Sequence, residues 1–308
     1  MAKYAPAALV AVLLVATGFA FLHTESLKLE TSPIRQTRVT KLFSPVCRCE
    51  SSKARIAFRL AKPDVVSVSI VDTSGSDVRQ LAFERPARGQ VAFLWNGRDD
   101  DGIVVHDGSY RARVRLDLIE KTFLLPNLIR VDTKAPQVQV VSVKPRVFSP
   151  DGDHRADRVN VRYTADERAQ GMLYVDGTRL VVGAGLKSSG ELRWYGKVAG
   201  RSLPARGYAL TVRAVDLAGN RSAPVDAGHV RIRYLELTPT RYASTSGGTI
   251  RVHVSTDSAR VRWKLGKRRG VARTPAFTVR VPNVPGRYIL SVGAHGHRVG
   301  GVVHVAGP

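Results

Sequence analysis

The sequence has little cysteine and lacks the common enzymatic motifs. Its two cysteines in 308 residues are too few for a small domain built on a disulfide framework. No G-x-S-x-G, H-E-x-x-H, Walker or G-x-G-x-x-G pattern is present, and no nucleophile stands beside a base. At 44% hydrophobic residues the chain can bury substantial cores, which excludes wholesale disorder. We therefore expect a folded protein that is not an enzyme; an envelope hydrolase with an unrecognised site is the weakest alternative.

Acidic residues are also scarce, most of all at the C-terminal end. The chain carries 48 Lys+Arg against 25 Asp+Glu, a formal net charge of +23. Residues 237–308 hold +11 of that excess, because they contain twelve basic residues and Asp257 as their only acid. A basic excess of this kind can attract a polyanionic partner, and a solvated arginine-rich surface is the alternative.

The N-terminus supplies a long uncharged run. Tyr4 to Leu22 reads YAPAALVAVLLVATGFAFL, about the length of a helix that crosses a bilayer. The favoured interpretation is an uncleaved anchor over residues 1–22 followed by a linker over 23–38. A signal peptide is the alternative, since Gly18-Phe19-Ala20 resembles a cleavage site. Either interpretation predicts export: a single-pass protein of the cell membrane with an extracytoplasmic C-terminal bulk, or a secreted protein after cleavage.

Internal repetition is the most informative feature of the chain. Phe43-Ser44-Pro45 recurs as Phe148-Ser149-Pro150, and Trp95-Asn96-Gly97 recurs as Trp194-Tyr195-Gly196. Gly108-Ser109-Tyr110 and Gly207-Tyr208 each lead into a strand-like run. A shorter third segment has only Trp263 and Gly286-Arg287-Tyr288. The order and spacing predict two full units of roughly 100 residues and a shorter third.

The hydrophobic pattern after Leu22 has the period of β-strands. Val66, Val68 and Ile70 alternate with more polar positions, as do the residues of 111–116 and 230–234. Turn residues recur every 8–12 positions or so, which is typical of a β-sandwich. The predicted fold is all-β, with three tandem Ig-like β-sandwich domains after one N-terminal transmembrane helix. The predicted domains are 39–133, 134–236 and 237–308, with joints near 134–136 and 237–239.

The stretch WNGRDDDGIVVHDGSYRARVRL (95–116) resembles the terminal hairpin of the Ig-like domain of the flagellar hook-capping protein (FlgD). Similar domains occur in tandem in many bacterial cell-surface proteins. The resemblance covers 43–133 well, 148–234 more loosely, and 237–308 only at Trp263, Gly286 and Tyr288. It implies a fold rather than a function, since such domains serve as spacers, adhesin modules and sorting segments.

The repeated aromatic residues are predicted to form cores rather than to bind ligands. Trp95, Trp194 and Trp263 are assigned to the same place in each unit, as core packing would require. The matching tyrosines are expected to bond nearby backbone. Asp99-Asp100-Asp101-Gly102 lies between two β runs, where these residues favour a hairpin turn over a carboxylate site.

The loop after Phe148 is the sharpest metal candidate. Asp151 and Asp153 flank a glycine and Asp157 follows four residues later, as in short oxygen-ligand Ca²⁺ loops. An ordinary Asx-turn is the alternative. His295-Gly-His297 could also chelate a metal, although a lone H-x-H is a weak signal. No cofactor other than a possible Ca²⁺ is expected.

The equivalent loop in the first unit has lost its carboxylates and gained Cys47 and Cys49. An oxidising exterior permits a disulfide between them, which would hold the loop in place of a metal. Two free thiols or an intermolecular bridge remain alternatives. Zinc is not expected, because no partner has ligand spacing.

The basic C-terminal domain offers the candidate binding surface. In Arg260–Leu265 the cations alternate with Val261, Trp263 and Leu265, so period 2 places the charges on one outer face. Arg251, His253 and Arg280 are predicted to extend that face. The candidate polyanion-binding residues are Arg260, Arg262, Lys264, Lys267, Arg268 and Arg269.

The predicted role is presentation at the cell envelope. The helix would contact the membrane, the first two domains would form a stalk, and the basic domain would contact an anionic wall polymer or an envelope protein. Export makes nucleic acid an unexpected partner. The alternatives are an accessory subunit of an envelope or secretion complex and a solvated arginine-rich surface with no ligand.

Overall fold

The structure, a computed structural model, describes residues 5–28 and 32–307, with the side chains of the first helix described over 10–21. Helix α1 (Ala5–Lys28) opens the chain. The predicted helix is present, but within the described stretches no helix is long and apolar enough to cross a membrane. The expectation of a transmembrane segment at Tyr4–Leu22 is therefore not supported within the described residues. Tyr4 itself lies outside them.

The predicted linker over 23–38 is too long. Helix α1 continues to Lys28, and the first strand already begins at Ile34. Ile34 is buried and pairs with Leu60 of a neighbouring strand. Sequence periodicity did not reveal this strand because its register shifts in the middle, where Gln36 has a φ of 50°. Such a bulge interrupts the alternation of side chains between the two faces.

The chain divides into two compact units, 1–133 and 134–308. Unit 1 is a β-sandwich in which a sheet of order β1-β3-β6 faces one of order β2-β9-β7-β4-β5, with β8 paired to β7. The inward side chains of both sheets form one hydrophobic cluster, as the period-2 pattern predicts. Its strands are β1 (Ile34–Val39), β2 (Leu42–Phe43), β3 (Ala54–Leu60), β4 (Asp64–Val71), β5 (Asp77–Ala87), β6 (Gln90–Trp95), β7 (Gly108–Leu116), β8 (Lys121–Leu124) and β9 (Ile129–Val131).

Unit 2 contains two separate hydrophobic clusters, and we call the residues around the first of them the second module. Its strands are β10 (Val138–Lys144), β11 (Val147–Phe148), β12 (Val159–Val175), β13 (Thr178–Val182), β14 (Lys187–Trp194), β15 (Lys197–Val198), β16 (Arg201–Ser202), β17 (Gly207–Val215) and β18 (Val225–Ile232). Strand β12 is 17 residues long and serves both sheets. Its first half pairs with β10 and β14, and its second half pairs with β17 and β13. The two halves of β12 therefore occupy the positions that β3 and β4 have in the two sheets of unit 1.

The second cluster of unit 2 belongs to what we call the third module. Its strands are β19 (Glu236–Leu237), β20 (Arg241–Thr245), β21 (Thr249–Ser255), β22 (Arg260–Leu265), β23 (Arg268–Arg273), β24 (Ala276–Arg280), β25 (Gly286–Ala294) and β26 (His297–Ala306). The sheet orders are β19-β21-β24 and β20-β26-β25-β22-β23. Taken in chain order, this arrangement repeats the strand pattern of unit 1 without the additional strand β8. Thus β22 corresponds to β4, β24 to β6 and β25 to β7.

An aromatic cluster closes one end of the core in unit 1. Trp95 is fully buried and packs edge-on against Phe43 and Tyr110, at ring-centroid distances of 5.5 and 5.2 Å. Gly97 has a φ of +70°, and a Cβ at this position would lie 2.6 Å from Cβ of Pro45. The Trp-x-Gly and Phe-Ser-Pro motifs are thus two halves of one packing unit.

The second module repeats this cluster. Trp194 packs edge-on against Phe148 and Tyr208, at 5.4 and 5.5 Å. Gly196 has a φ of +64°, and its Cβ would lie 2.6 Å from Cγ of Pro150. The prediction that these tryptophans are core residues is confirmed, and the same contacts explain why both motifs recur at matched spacing.

The tyrosines of the repeat each bond the main chain four residues earlier. This contact resembles the tyrosine corner of Ig-like sandwiches. The hydroxyl donors and carbonyl acceptors are Tyr110 to His106 (2.8 Å), Tyr208 to Pro204 (2.9 Å) and Tyr288 to Val284 (2.9 Å). The expectation that their hydroxyls bond nearby backbone is confirmed in all three modules.

Trp263 was assigned wrongly. It lies within β22, which corresponds to β4, whereas the other two tryptophans end β6 and β14. It is half-buried, pairs with Gly270 and Val292, and stacks with Phe277 at 6.4 Å. The residue type and its rough spacing suggested an equivalence that the strand order does not support.

Candidate functional site

Three carboxylates meet where the loops of the second and third modules come together. Asp151 and Asp153 lie in the loop between β11 and β12, and Asp257 lies in the loop between β21 and β22. One carboxylate oxygen from each lies within 4.8 Å of the others. We call these three residues the acidic cluster. It joins two parts of the chain that are more than one hundred residues apart in sequence.

Asp157, the third predicted metal ligand, is not part of this cluster. Its carboxylate turns back into its own loop and accepts the backbone N–H groups of Gly152 (2.7 Å) and His154 (2.8 Å). The structure thus brings together two of the three predicted ligands, while those local donors engage the Asp157 side chain. Sequence reasoning missed Asp257, although one signal was present: it is the only acid in a strongly basic segment.

The cluster is buried enough to make its charges costly. The Asp153 side chain is only 7% exposed, and burial raises the pKa of Asp151, with the charge of Asp153 as the next cause. Burial, followed by the charges of Asp151 and Asp153, raises the pKa of Asp257 to about 6. At an effective dielectric constant of about 20, two unit charges 4.8 Å apart repel by about 3.5 kcal/mol.

Few donors offset that repulsion. The Ser149 hydroxyl (3.1 Å) and the Asp153 N–H (3.3 Å) donate to Asp151, and the Arg155 N–H donates to Asp153 Oδ1 (2.8 Å). Neither oxygen of Asp257 is exposed or makes a hydrogen bond of good geometry with any described residue, although its own backbone N–H and, to a smaller extent, the Ser149 hydroxyl are near enough to lower its pKa. No lysine or arginine in the described part of the chain forms an ion pair with the cluster.

The two histidines of the predicted H-x-H pair do not share a site. His295 Nε2 lies 3.8 Å from Asp153 Oδ2 and is 41% exposed. The ring of His297 instead stacks flat on Tyr234, at 3.8 Å and 9°. His295 is thus a neighbour of the acidic cluster, while His297 packs the joint between the second and third modules.

In the loop of unit 1 that corresponds to the acidic loop, a disulfide bond joins Cys47 and Cys49. Its neighbour Ser51 has its hydroxyl 3.0 Å from Cys49 Sγ. The two equivalent loops are therefore closed by different means. One uses a covalent bond between side chains, and the other uses hydrogen bonds from backbone N–H groups to Asp157.

The aspartates at 99–101 form a turn, as the pattern predicts. Asp99 Oδ1 accepts the Ile103 N–H (2.8 Å), and Asp100 Oδ1 accepts the Gln80 N–H (3.1 Å). Asp100 also lies 3.5 Å from Arg79. These contacts tie the turn to β5 and leave no convergent carboxylate pair for acid–base chemistry.

Four of the six predicted polyanion-binding residues share one outer face of the third module. Val261 and Leu265 of β22 are buried, so the residues between them point outward. Strand pairing places Lys264 opposite Arg269, and paired residues lie on the same face of a sheet. The four are Arg260, Arg262, Lys264 and Arg269.

Other predicted members of that face lie elsewhere. Lys267 is in the turn between β22 and β23, and Arg268 pairs with the inward residue Leu265 at the end of the hairpin. Arg251, His253 and Arg280 were also predicted to lie on this face. They belong instead to β21 and β24 of the opposite sheet. Alternation along a strand gives the face of a residue but not the sheet to which its strand belongs.

Neighbouring strands of the same sheet enlarge the basic surface. In β25 and β26, Arg287 pairs with His304 and Gly293 pairs with Arg298. A shallow groove with Arg287 and His304 in its walls runs along these strands and β20. We call the complete set the cationic face. Its members, all exposed, are Arg241, Arg260, Arg262, Lys264, Arg269, Arg273, Arg287, Arg298 and His304.

Comparison with known proteins agrees with this fold. Residues 45–117 match the profile of the FlgD Ig-like domain. That segment runs from the loop before β3 to the end of β7, so the suspected family is confirmed for the FlgD-like module of unit 1. No curated protein matches the chain.

Similar solved structures include Ig-like and fibronectin-like arrays. The fibronectin(III)-like modules of Clostridium thermocellum CbhA are 14% identical, with 64% of this chain and 93% of that chain covered and a TM-score of 0.36. A three-Ig segment of titin is 10% identical, with coverage of 90% and 99% and a TM-score of 0.33. Bacteroides ovatus SGBP-B, solved with a mixed-linkage heptasaccharide, is 12% identical, with coverage of 88% and 71% and a TM-score of 0.24. These scores carry no functional information.

Proposed function

We propose that this protein is a non-enzymatic presentation module of the cell envelope. In this proposal the N-terminal helix attaches the chain to the envelope membrane, the FlgD-like module and the second module act as a stalk, and the third module binds an anionic envelope polymer. An Ig-like fold agrees with a structural or interaction-mediating role. The membrane attachment, the compartment and the polymer are our inference.

The observation that carries the proposal is the composition of the cationic face. Eight arginines and lysines and one histidine lie on one side of a single five-stranded sheet. The only acid of residues 237–308, Asp257, lies in a loop rather than in that sheet. A surface of one sign creates a potential that attracts polyanions and releases their counterions on binding.

In the corresponding sheet of unit 1, nearby carboxylates compensate the charge of outward arginines. There Arg113 is paired with Asp77, and Arg115 lies 3.0 Å from Asp117. Among the described residues, no arginine or lysine of the cationic face has such a carboxylate partner. The difference follows from the near absence of acidic residues in 237–308, which leaves the positive charge of this face available to an external polyanion.

Exposed apolar residues support the proposed attachment of the helix. All side chains described in α1, residues 10–21, are exposed, including Leu14 at 69% and Phe19 at 74%. An apolar helix outside a protein core gains free energy when it enters a lipid phase. Carbonate extraction of membranes from cells expressing the full chain tests this step. Retention of the chain in the membrane pellet supports attachment, and its release or its presence in the culture medium contradicts it.

The polymer step is tested with a matched pair of variants of the full chain. One variant carries Arg262→Gln and Arg269→Gln on the cationic face, and the control carries Arg251→Gln and Arg280→Gln on the opposite sheet. Both lose two exposed arginines from one module. The probe is a purified phosphodiester wall polymer, titrated between about 50 and 200 mM salt, where counterion release is measurable.

We expect the face variant to bind about tenfold more weakly at low salt, with a salt slope smaller by about 1.5 in log–log units, because each lost contact removes roughly 0.7–0.9 from the slope. The control should bind like the unmodified chain. No binding at low salt would overturn the polymer proposal and favour the alternative of protein contacts within an envelope complex. An equal loss in both variants would also overturn it, because the binding would then depend on net charge alone.

A further inference from the structure

We propose that the acidic cluster is a calcium site that fixes the joint between the second and third modules. Asp151 and Asp153 would supply ligands from the second module, and Asp257 would supply them from the third. The inference does not depend on polymer binding by the cationic face. It assigns a ligand and a mechanical role to residues that the proposed function leaves unused.

The donor set selects the class of cation. Three carboxylates offer up to six oxygen atoms, and hard oxygen ligands without sulfur are those that Ca²⁺ prefers. The oxygens already lie within 4.8 Å of one another, a spacing that Ca²⁺–oxygen distances of about 2.3–2.6 Å can bridge with small movements. Among the described histidines, His295 is the one within 4 Å of a cluster carboxylate, at 3.8 Å from an Asp153 oxygen, and it is 41% exposed, so a Zn²⁺ site would lack its usual ligands.

A second and independent observation concerns Asp257. Both of its carboxylate oxygens are inaccessible to solvent and lack a hydrogen-bond partner of good geometry among the described residues. A buried charged group without a partner is costly, and native proteins rarely keep one without a compensating ion or bond. The Ser149 hydroxyl has one proton, which it directs to Asp151. A cation between the three residues would compensate all of them at once.

The position of the cluster gives the cation a mechanical role. The other described contacts at the joint include an ion pair between Arg231 of β18 and Glu236 of β19, whose exposed side chains make it weak. In addition, Thr256 Oγ1 donates to the Tyr234 carbonyl (3.1 Å), Arg155 donates to the Asp257 carbonyl (3.4 Å), and Tyr234 stacks on His297. A cation that binds carboxylates from both modules would add the strongest electrostatic link of the joint. It would therefore hold the third module in one orientation on the second.

Calorimetric titration of the full, metal-free chain with CaCl₂ tests the proposal. We expect one Ca²⁺ per chain with an affinity in the range of extracellular modules, a Kd of about 0.1–1 mM. Saturating Ca²⁺ should raise the melting temperature of unit 2 by about 5 °C. Hydrogen exchange should slow in residues 149–157 and 256–259 together. Exchange that slows in only one of these two segments would overturn the bridging role.

Three variants separate the possible ligand sets. Asp257→Asn should weaken Ca²⁺ binding at least tenfold. Asp226→Asn, which makes the same change at an exposed position of the second module, should leave it unchanged. Asp157→Asn should also bind Ca²⁺, since Asp157 lies outside the cluster. Binding lost in Asp157→Asn but kept in Asp257→Asn would overturn the assignment.

The stability of the Asp257→Asn variant without metal is a further readout. It distinguishes a metal ligand from an aspartate that has only a structural role. Removal of an unpartnered buried charge should raise the melting temperature without Ca²⁺, while the increase caused by Ca²⁺ should disappear. A variant that melts lower than the unmodified chain in chelator would contradict the proposal. So would a wild-type chain that neither releases heat nor changes its melting temperature at 10 mM Ca²⁺, a concentration above the expected Kd.

Discussion

Replacing Gly97 with alanine tests whether the repeated Trp-x-Gly and Phe-Ser-Pro motifs form one packing unit. Gly97 has a φ of +70°, and the new Cβ would lie 2.6 and 2.8 Å from Cβ and Cγ of Pro45 and 3.2 Å from the ring of Phe43. A left-handed backbone costs a non-glycine residue about 1–2 kcal/mol. Overpacking of a filled core costs about 1–3 kcal/mol more. The expected total is about 2–5 kcal/mol.

Gly102 provides the matched control, because it lies in the same hairpin with a similar φ of +81° and nothing within 4 Å of its ideal Cβ. Gly102→Ala should therefore cost only the backbone part, about 1–2 kcal/mol. The difference between the two variants isolates the contact with Pro45. It should amount to about 1–3 kcal/mol, or roughly 5-fold to 150-fold in an equilibrium constant.

Hydrogen exchange of the full chain, followed by mass spectrometry, measures this difference within one module. Peptides from β3 and β6 report the opening of the sheet β1-β3-β6, in which Trp95 is the last residue of β6. Their exchange should be faster in Gly97→Ala than in Gly102→Ala by that factor, and peptides of unit 2 should be unchanged. Equal exchange in the two variants would refute the packing argument, because the backbone conformation alone would then explain both.

Further predictions concern other contacts of the modules. Tyr110→Phe should lower the stability of unit 1 by about 1 kcal/mol in urea, because one hydrogen bond to the main chain is lost; an unchanged urea midpoint would contradict the corner contact. The backbone N–H of Ala209 holds the pKa of Asp176 below its usual value, so this group stabilises the fold above the unfolded pKa of 3.8 and loses that effect as the pH falls. The Asp176→Asn variant should therefore have a lower melting temperature than the unmodified chain at pH 7 and the same melting temperature near pH 2. A difference in melting temperature that stays constant with pH would contradict the link between this pKa and stability. Alkylation without reductant should modify neither Cys47 nor Cys49, since the two are joined, and modification of both would exclude the bond.

Sequence reasoning succeeded where the information is local or repeated. Trp95 and Tyr110 could be assigned to a core because a second copy of their motif occurs at matched spacing, and the inward positions of β7 follow from simple alternation. It failed at contacts between distant segments. Nothing near Asp257 in the sequence indicates that it lies beside Asp151, since that contact depends on how two loops meet after folding. Arg251 was placed on the wrong sheet for a related reason, because strand order is not encoded in the period of one strand.

Arginine footprinting of the full chain bound to the wall polymer tests the central claim most directly. Phenylglyoxal modification, read by mass spectrometry with and without polymer, reports which guanidinium groups the ligand covers. The account predicts protection of Arg262, Arg269 and Arg273 on the cationic face, and none at Arg251 and Arg280 on the opposite sheet. Protection of all five to the same extent, or of the opposite sheet alone, would contradict it.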